Sequence, residues 1–184
     1  MPTVLVPLAE GCEELETITI VDLLRRAGVE VTTAALGERN VTGSHDITIV
    51  ADATLDDVAS VDFDMIVLPG GLPGADNLQA DSRIRELLSE MASAGRYVAA
   101  ICAAPRVLAA AGLLDGKHAT SYPGFLADYE VDYQEKTVVQ DGRIITSRGP
   151  GTAIDFALSL IENLCGREQR DSVESALQRP PRAA

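Results

Sequence analysis

The chain has 184 residues, 46% hydrophobic and 23% charged, with 15 Lys+Arg against 28 Asp+Glu and a formal net charge of −13. That length fits one domain whose core needs no disulfide or metal staple. The acidic balance argues against a nucleic-acid binder or a dock on anionic membranes, and no apolar run reaches the ~20 residues of a membrane span.

In chain order, Thr3–Val6 reads as a first strand. Glu13–Ala27 follows as a helix with apolar residues at 15, 18, 21 and 24, stopped at Gly28. Val29–Ala35 is a second strand, and the stretch from Gly37 to Asp46–Val50 a hairpin-like excursion. Phe63–Leu68 is a continuous apolar run ended by Pro69-Gly70-Gly71, as expected of a strand buried on both faces. Ser82–Ala94 is helical, Tyr97–Ile101 another buried strand, and Ala104–Ala110 a short helix. Ala119–Ser121 reads as a strand. Thr137–Gln140 and Arg143–Thr146 flank Asp141-Gly142 as a hairpin. Thr152–Cys165 and Glu168–Leu177 are the last helices, and Pro180-Pro181 opens a tail, so one domain over 1–177 with a flexible tail over 178–184 is expected.

Strand–helix alternation implies a mainly parallel sheet with helices on both faces. In such sheets ligands sit beyond the carboxyl ends of the strands. That rule selects four segments: Ala9–Glu16, Pro69–Ala75, Cys102–Pro105 and Ser147–Thr152. The N-terminus has no basic region ahead of an apolar stretch, so no signal peptide is expected. Three scattered cysteines, Cys12, Cys102 and Cys165, form no disulfide framework and suit a reducing cytoplasm. Two histidines and no C-x-x-C pair make a structural zinc site improbable.

Cys102 is the first chemical candidate. It follows one strand and precedes a helix, on a turn that exposes a side chain at the sheet edge. A thiol at a helix N-terminus is expected to have a lowered pKa. The bland alternative is a small buried hydrophobe. Glu16 is the second candidate, beside the apolar stripe of its helix, where an inward carboxyl has a raised pKa and can share a proton with a thiol. Glu13 and Glu14 read as ordinary helix-start acids. Pro69-Gly70-Gly71 and Ser147-Arg148-Gly149-Pro150-Gly151-Thr152 read as tight turns or as backbone lining a site. His45 and His118 read as surface residues, Cys165 as core, and Cys12 as core or a secondary redox thiol.

Five blocks taken together resemble the ThiJ/PfpI superfamily. They are Glu13-Glu14-Leu15-Glu16-Thr17, Val21–Gly28, Val67-Leu68-Pro69-Gly70-Gly71, Ala99–Pro105 and Thr146–Thr152, and the resemblance spans residues 3–177. Within it, the branch of the parkinsonism-associated deglycase and bacterial YajL is the nearer match. The resemblance implies a flavodoxin-like three-layer sandwich and a homodimer. It implies a strained nucleophile at Cys102, a protonated partner at Glu16, and oxyanion-binding amides at Gly70, Gly71 and Ala103. Glu13 and Tyr122 would line the substrate pocket, and Arg26, Pro150 and Gly151 would approach the site from the neighbouring subunit. The implied activity is glutathione-independent conversion of methylglyoxal to lactate, or deglycation of early glycation adducts, with no cofactor and no metal. The implied partners are a small dicarbonyl or glycated substrate, and a role against oxidative and carbonyl stress follows. A redox sensor or chaperone acting through Cys102 is the alternative, and a cysteine peptidase a weaker one. Three positions depart from the family pattern: Tyr122 where relatives often carry histidine, Leu72 after Gly71, and His45 where relatives often carry arginine.

Overall fold

The computed structural model describes residues 1–179. The strands are β1 (Thr3–Leu8), β2 (Glu30–Ala35), β3 (Asn40–Thr42), β4 (Thr48–Val50), β5 (Ala53–Thr54), β6 (Met65–Leu68), β7 (Tyr97–Ile101), β8 (His118–Ala119), β9 (Asp132–Tyr133), β10 (Val138–Asp141) and β11 (Ile144–Ser147). The α-helices are α1 (Glu14–Arg26), α2 (Gly74–Ala80), α3 (Ser82–Ser93), α4 (Pro105–Ala110), α5 (Ala153–Cys165) and α6 (Arg167–Ala176). The main sheet has the order β10-β11-β7-β6-β1-β2-β5. Every pairing in it is parallel except β10 with β11. Val4–Leu8 and all of β6 are buried, because helices cover both faces of the central strands.

Register brings the chemistry together. Leu68 pairs with Ala100 across β6 and β7, so Gly70 and Cys102, each two residues further on, come level. Ser147 pairs with Ile101, which brings the segment after β11 alongside. All four segments selected by the carboxyl-end rule therefore meet at one edge of the sheet.

Several elements differ from expectation. The apolar stripe of α1 is not 15, 18, 21 and 24, since Leu15 and Ile18 are each 52% exposed. The buried face holds Glu14, Glu16, Thr17, Ile20, Val21, Leu23 and Leu24. Alternation of apolar residues misleads here because the first helical turn lies under loops that supply partners for acids. Helix α2, which the sequence reading did not assign, starts at Gly74 after a tight approach: a Cβ on Gly74 would lie 2.7 Å from Cys12 Cα. The short strands β5 and β9 have no sequence signal of their own length. The β3–β4 hairpin is paired from Asn40 rather than from near Gly37. The two residues between β10 and β11 are Gly142 and Arg143, one step beyond the expected Asp141-Gly142, with Gly142 at φ +61°. Cys165 is half-buried at the end of α5 rather than within the core. Residues 180–184 of the expected tail lie outside the described residues. Arg179 is tied down by ion pairs to Asp155 and Glu174.

Candidate active site

Cys102 sits between β7 and α4 with φ +63°, a left-handed conformation that costs a non-glycine residue on the order of 1–3 kcal/mol. Its neighbours over-determine it. Cys102 N–H donates to Ser147 O at 3.1 Å, and Tyr122 N–H donates to Cys102 O at 2.9 Å. The residue is 9% exposed, so the thiol lies at the floor of the site rather than on the surface.

Glu16 reaches this floor from the first turn of α1 and is fully buried. The side chain of Glu13 caps that turn, accepting from Glu16 N–H at 2.6 Å. Glu16 Oε2 accepts from Gly70 N–H at 2.8 Å, while Oε1 is buried without an oxygen or nitrogen partner among the described residues. Burial raises the Glu16 carboxyl to about 7, the Gly70 amide and the Cys102 thiol pulling the other way. Glycine at 70 is a matter of space: a Cβ there would sit 2.6 Å from Cys102 Cβ and 2.8 Å from Glu16 Oε2. At Gly71 both space and backbone require it, with φ +89° and a built Cβ 2.5 Å from Glu13 N.

Two sequence expectations are corrected here. Gly70 does not offer an oxyanion amide, because its N–H is committed to Glu16. The thiol pKa is not lowered: burial, the charge of Glu16 and its hydrogen bond push it up to about 12, against the pull of the Gly71 and Ala103 amides. Helix α4 is only six residues and starts three residues after the cysteine, so its dipole contributes little. The two groups form one unit. With Glu16 protonated its charge disappears and its O–H can donate to sulfur, so the pair holds a single shared proton over a wide pH range.

The other candidates are placed as follows. Gly71 and Ala103 aim their amides at the thiol. The side chain of Tyr122 is 49% exposed beside the site. Gly149, in the Ser147–Thr152 segment that the sequence offers as a turn or a site lining, lies at the same mouth: a Cβ on it would be 3.4 Å from the Tyr122 ring and 4.0 Å from Cys102 Sγ. Pro150 and Gly151 continue that loop in the same chain. Arg26 is at the far end of α1, paired with Asp22 at 2.7 Å, and does not reach Cys102 within one chain.

The histidines are engaged elsewhere, His118 with Asp132 and His45 with Glu14. Glu14 is not a simple helix-start acid. Buried itself, it accepts from the backbone N–H groups of His45 and Ile47 and meets the His45 ring at 3.0 Å. Burial would raise its pKa, but the His45 contacts outweigh it and hold Glu14 at about 2. Glu13, Glu14 and His45 each place a potential ligand atom within 4.8 Å of one another. Glu14 is hydrogen-bonded to His45, whereas Glu13 accepts from Glu16 N–H and lies 3.7 Å from the His45 ring. Cys12 is fully buried, so a substrate does not reach it, and burial raises its thiol to about 11 with no carboxyl held against it as Glu16 is against Cys102. A surface groove of about 740 Å³, lined by Glu135, Val138, Ser159 and Arg170, lies away from these residues.

The family model described as the DJ-1/PfpI family matches residues 2–163. The chain belongs to the DJ-1/PfpI family. It is 48% identical over 177 residues to protein dj-1beta of Drosophila melanogaster, covering 94% of this chain and 95% of that one. It is 37% identical over 166 residues to the glutathione-independent glyoxalase DJR-1.2 of Caenorhabditis elegans, covering 89% of each. The structure of oxidized Toxoplasma gondii DJ-1 superposes with a TM-score of 0.95 at 38% identity, covering 98% of this chain and all of that one. The family fold is therefore shared across the whole sheet. No helix among the described residues is long and apolar enough to cross a membrane.

Proposed function

We propose that this DJ-1/PfpI protein is a glutathione-independent glyoxalase that converts 2-oxoaldehydes such as methylglyoxal to 2-hydroxy acids, with Cys102 as nucleophile and Glu16 as acid–base. The observation that carries this reading is the left-handed Cys102 held against the buried carboxyl of Glu16. The likeness to a relative named as a glyoxalase supports it.

Cys102 Sγ, its proton passed to Glu16, adds to the aldehyde carbon to form a C–S bond. The new alkoxide takes the proton from Glu16 and becomes a hemithioacetal. Glu16 then removes the hydrogen of that carbon as a proton and returns it to the neighbouring carbon, while the hydroxyl proton passes from the first oxygen to the second, so the first carbon is oxidised and the second reduced with no external electron carrier. The product is a 2-hydroxyacyl thioester. Water cleaves its C–S bond, giving lactate from methylglyoxal and restoring the thiol. The Gly71 and Ala103 amides, already aimed at sulfur, are near enough to steady oxygen charge at the adjacent carbon. The same addition to a glycated amine adduct accounts for a deglycase activity.

The reading extends to a cytoplasmic homodimer. Leu15 and Ile18 on the outer face of α1 supply apolar surface for a second copy, and Arg26 on the same helix would then serve the partner's site. A role against carbonyl and oxidative stress, including a chaperone function, follows from such a thiol. The sensor alternative is tested separately: mild peroxide should oxidise Cys102 ahead of Cys12 and Cys165 by mass spectrometry, and random order would exclude it. A peptidase reading loses its support, since no histidine is bonded to Cys102 among the described residues.

The deciding experiment is lactate formation from methylglyoxal without glutathione. Wild type should turn over, while Cys102→Ser should lose at least about a thousandfold, as nucleophile deletions do. Equal rates would remove the proposal.

A further inference from the structure

We infer that Gly149 and Tyr122 form a notch that receives the non-reacting substituent of the substrate and favours a flat apolar one, an inference that rests on the glyoxalase reading. Gly149 has φ 164° and ψ −169°, extended backbone open to any residue. Its glycine is therefore not required by conformation. What it leaves open is the place of one side chain, with the Tyr122 ring 3.4 Å away on one side and Cys102 Sγ 4.0 Å away on the other. A group attached to the carbonyl under attack by sulfur falls into this gap.

The wall of the gap is aromatic. The chain holds four Tyr and three Phe in all, and Tyr122, whose N–H bonds Cys102 O, opens a twelve-residue segment that also carries Phe125, Tyr129 and Tyr133. Phe125 braces Tyr122 edge-on, with ring centroids 6.1 Å apart and planes at 81°. The Arg106 guanidinium stacks on Phe125 at 5.3 Å and pairs with Asp76, so the brace itself is held. Tyr122 N–H is bonded to Cys102 O, which fixes the base of the ring relative to the thiol. Tyr122 remains 49% exposed, leaving surface open to a ligand. Leu72, one residue past the Gly71 amide, is also a large exposed apolar side chain near this edge. The polar groups Glu13 and Glu16 come from the start of α1. An aryl or branched alkyl substituent gains contact with this wall, whereas glyoxal, which has none, does not. Aromatic contact together with the area it buries makes the preference about tenfold.

The test is kcat/KM for glyoxal, methylglyoxal and phenylglyoxal on wild type, Gly149→Ala, Tyr122→Ala and Tyr122→Phe, read as the phenylglyoxal-to-glyoxal ratio within each protein. That ratio cancels changes in the chemical step common to both substrates. A methyl at 149 fits at ordinary contact distance and fills the notch, so Gly149→Ala should lower the ratio about tenfold. Tyr122→Ala should lower it by about the same factor, and Tyr122→Phe should preserve it, because the face rather than the hydroxyl is used. A ratio that stays constant across all four proteins overturns the notch while leaving the glyoxalase reading standing. Absence of turnover of all three aldehydes by wild type overturns both.

Discussion

Two regions flank the first turn of α1, and each holds a buried glutamate. On the hairpin side, Glu14 meets two backbone amides and a histidine ring and titrates at about 2. On the sheet side, two residues along the same helix, Glu16 meets one amide and a thiol and titrates at about 7. Both are nearly or wholly inaccessible to water. Burial alone therefore does not set the proton affinity of an acid here; the number and charge of the donors aimed at it do. The hairpin region uses its carboxylate to tie a loop to a helix. The sheet region leaves its carboxyl under-supplied, which suits it to moving a proton.

The comparison breaks most sharply if the two acids are exchanged for amides one at a time. Glu16→Gln should lower kcat/KM for methylglyoxal by about 10²–10⁴-fold, the range lost with a general acid–base. Glu14→Gln should change turnover little by comparison, since its side chain bonds only the hairpin loop. Equal losses would show that Glu14 acts through the loop on the same chemistry. In wild type, kcat/KM should rise as pH climbs through about 7, where the pair passes from two protons to one, and then stay level. The Glu16→Gln enzyme should lack that step.

Stability separates the same acids with opposite signs. Glu16 is raised from an ordinary 4.5 to about 7, so between those values the folded chain binds more protons than the unfolded one. Its contribution is complete below 4.5 and is lost as pH rises through about 7, amounting to about 3 kcal/mol at 1.36 kcal/mol per unit. Urea unfolding from pH 4.5 to 8 should show wild type losing that much relative to Glu16→Gln. Glu14 is lowered, so its contribution is present above 4.5 and lost as pH falls through about 2. Glu14→Gln should cost about 2 kcal/mol near neutral pH, the worth of hydrogen bonds to a charged group.

Legibility in the sequence follows the same division. The sheet was readable because buried parallel strands are continuous apolar runs, and Val67-Leu68 and Tyr97–Ile101 appear as such. Cys102 was readable from its place after a strand, and the carboxyl-end rule collected the four site segments. The inward turn of Glu16 was anticipated, although from a stripe that the structure shows to run along 17, 20 and 24 instead. The thiol's raised pKa was not legible, since it depends on a through-space charge from a residue 86 positions away and on burial. Nor was the loss of the Gly70 amide to Glu16, nor the notch at Gly149, because spacing along a chain does not say which amide meets which oxygen. The tie between Glu14 and His45 spans 31 positions and joins two short segments with no periodic signal.

That tie gives the smallest and most specific way to sharpen the contrast. His45 is raised above its ordinary 6.5, first by its hydrogen bond to Glu14 and then by that carboxylate's charge, with Glu13 and Asp46 adding to it. The folded chain thus holds a proton that the unfolded one releases near 6.5. The contribution of His45 is fully present below that pH and disappears as pH rises through the raised folded value. Thermal unfolding of wild type and His45→Ala should therefore differ most in mild acid and converge in mild alkali. The ring is exposed, so added salt should shrink the difference at acid pH. The backbone amides of His45 and Ile47 remain on Glu14 in the variant, so the loop should stay docked and Glu14 should stay ionised. A pH-independent difference would mean that His45 acts by packing rather than by charge, and the low pKa of Glu14 would then rest on the amides alone.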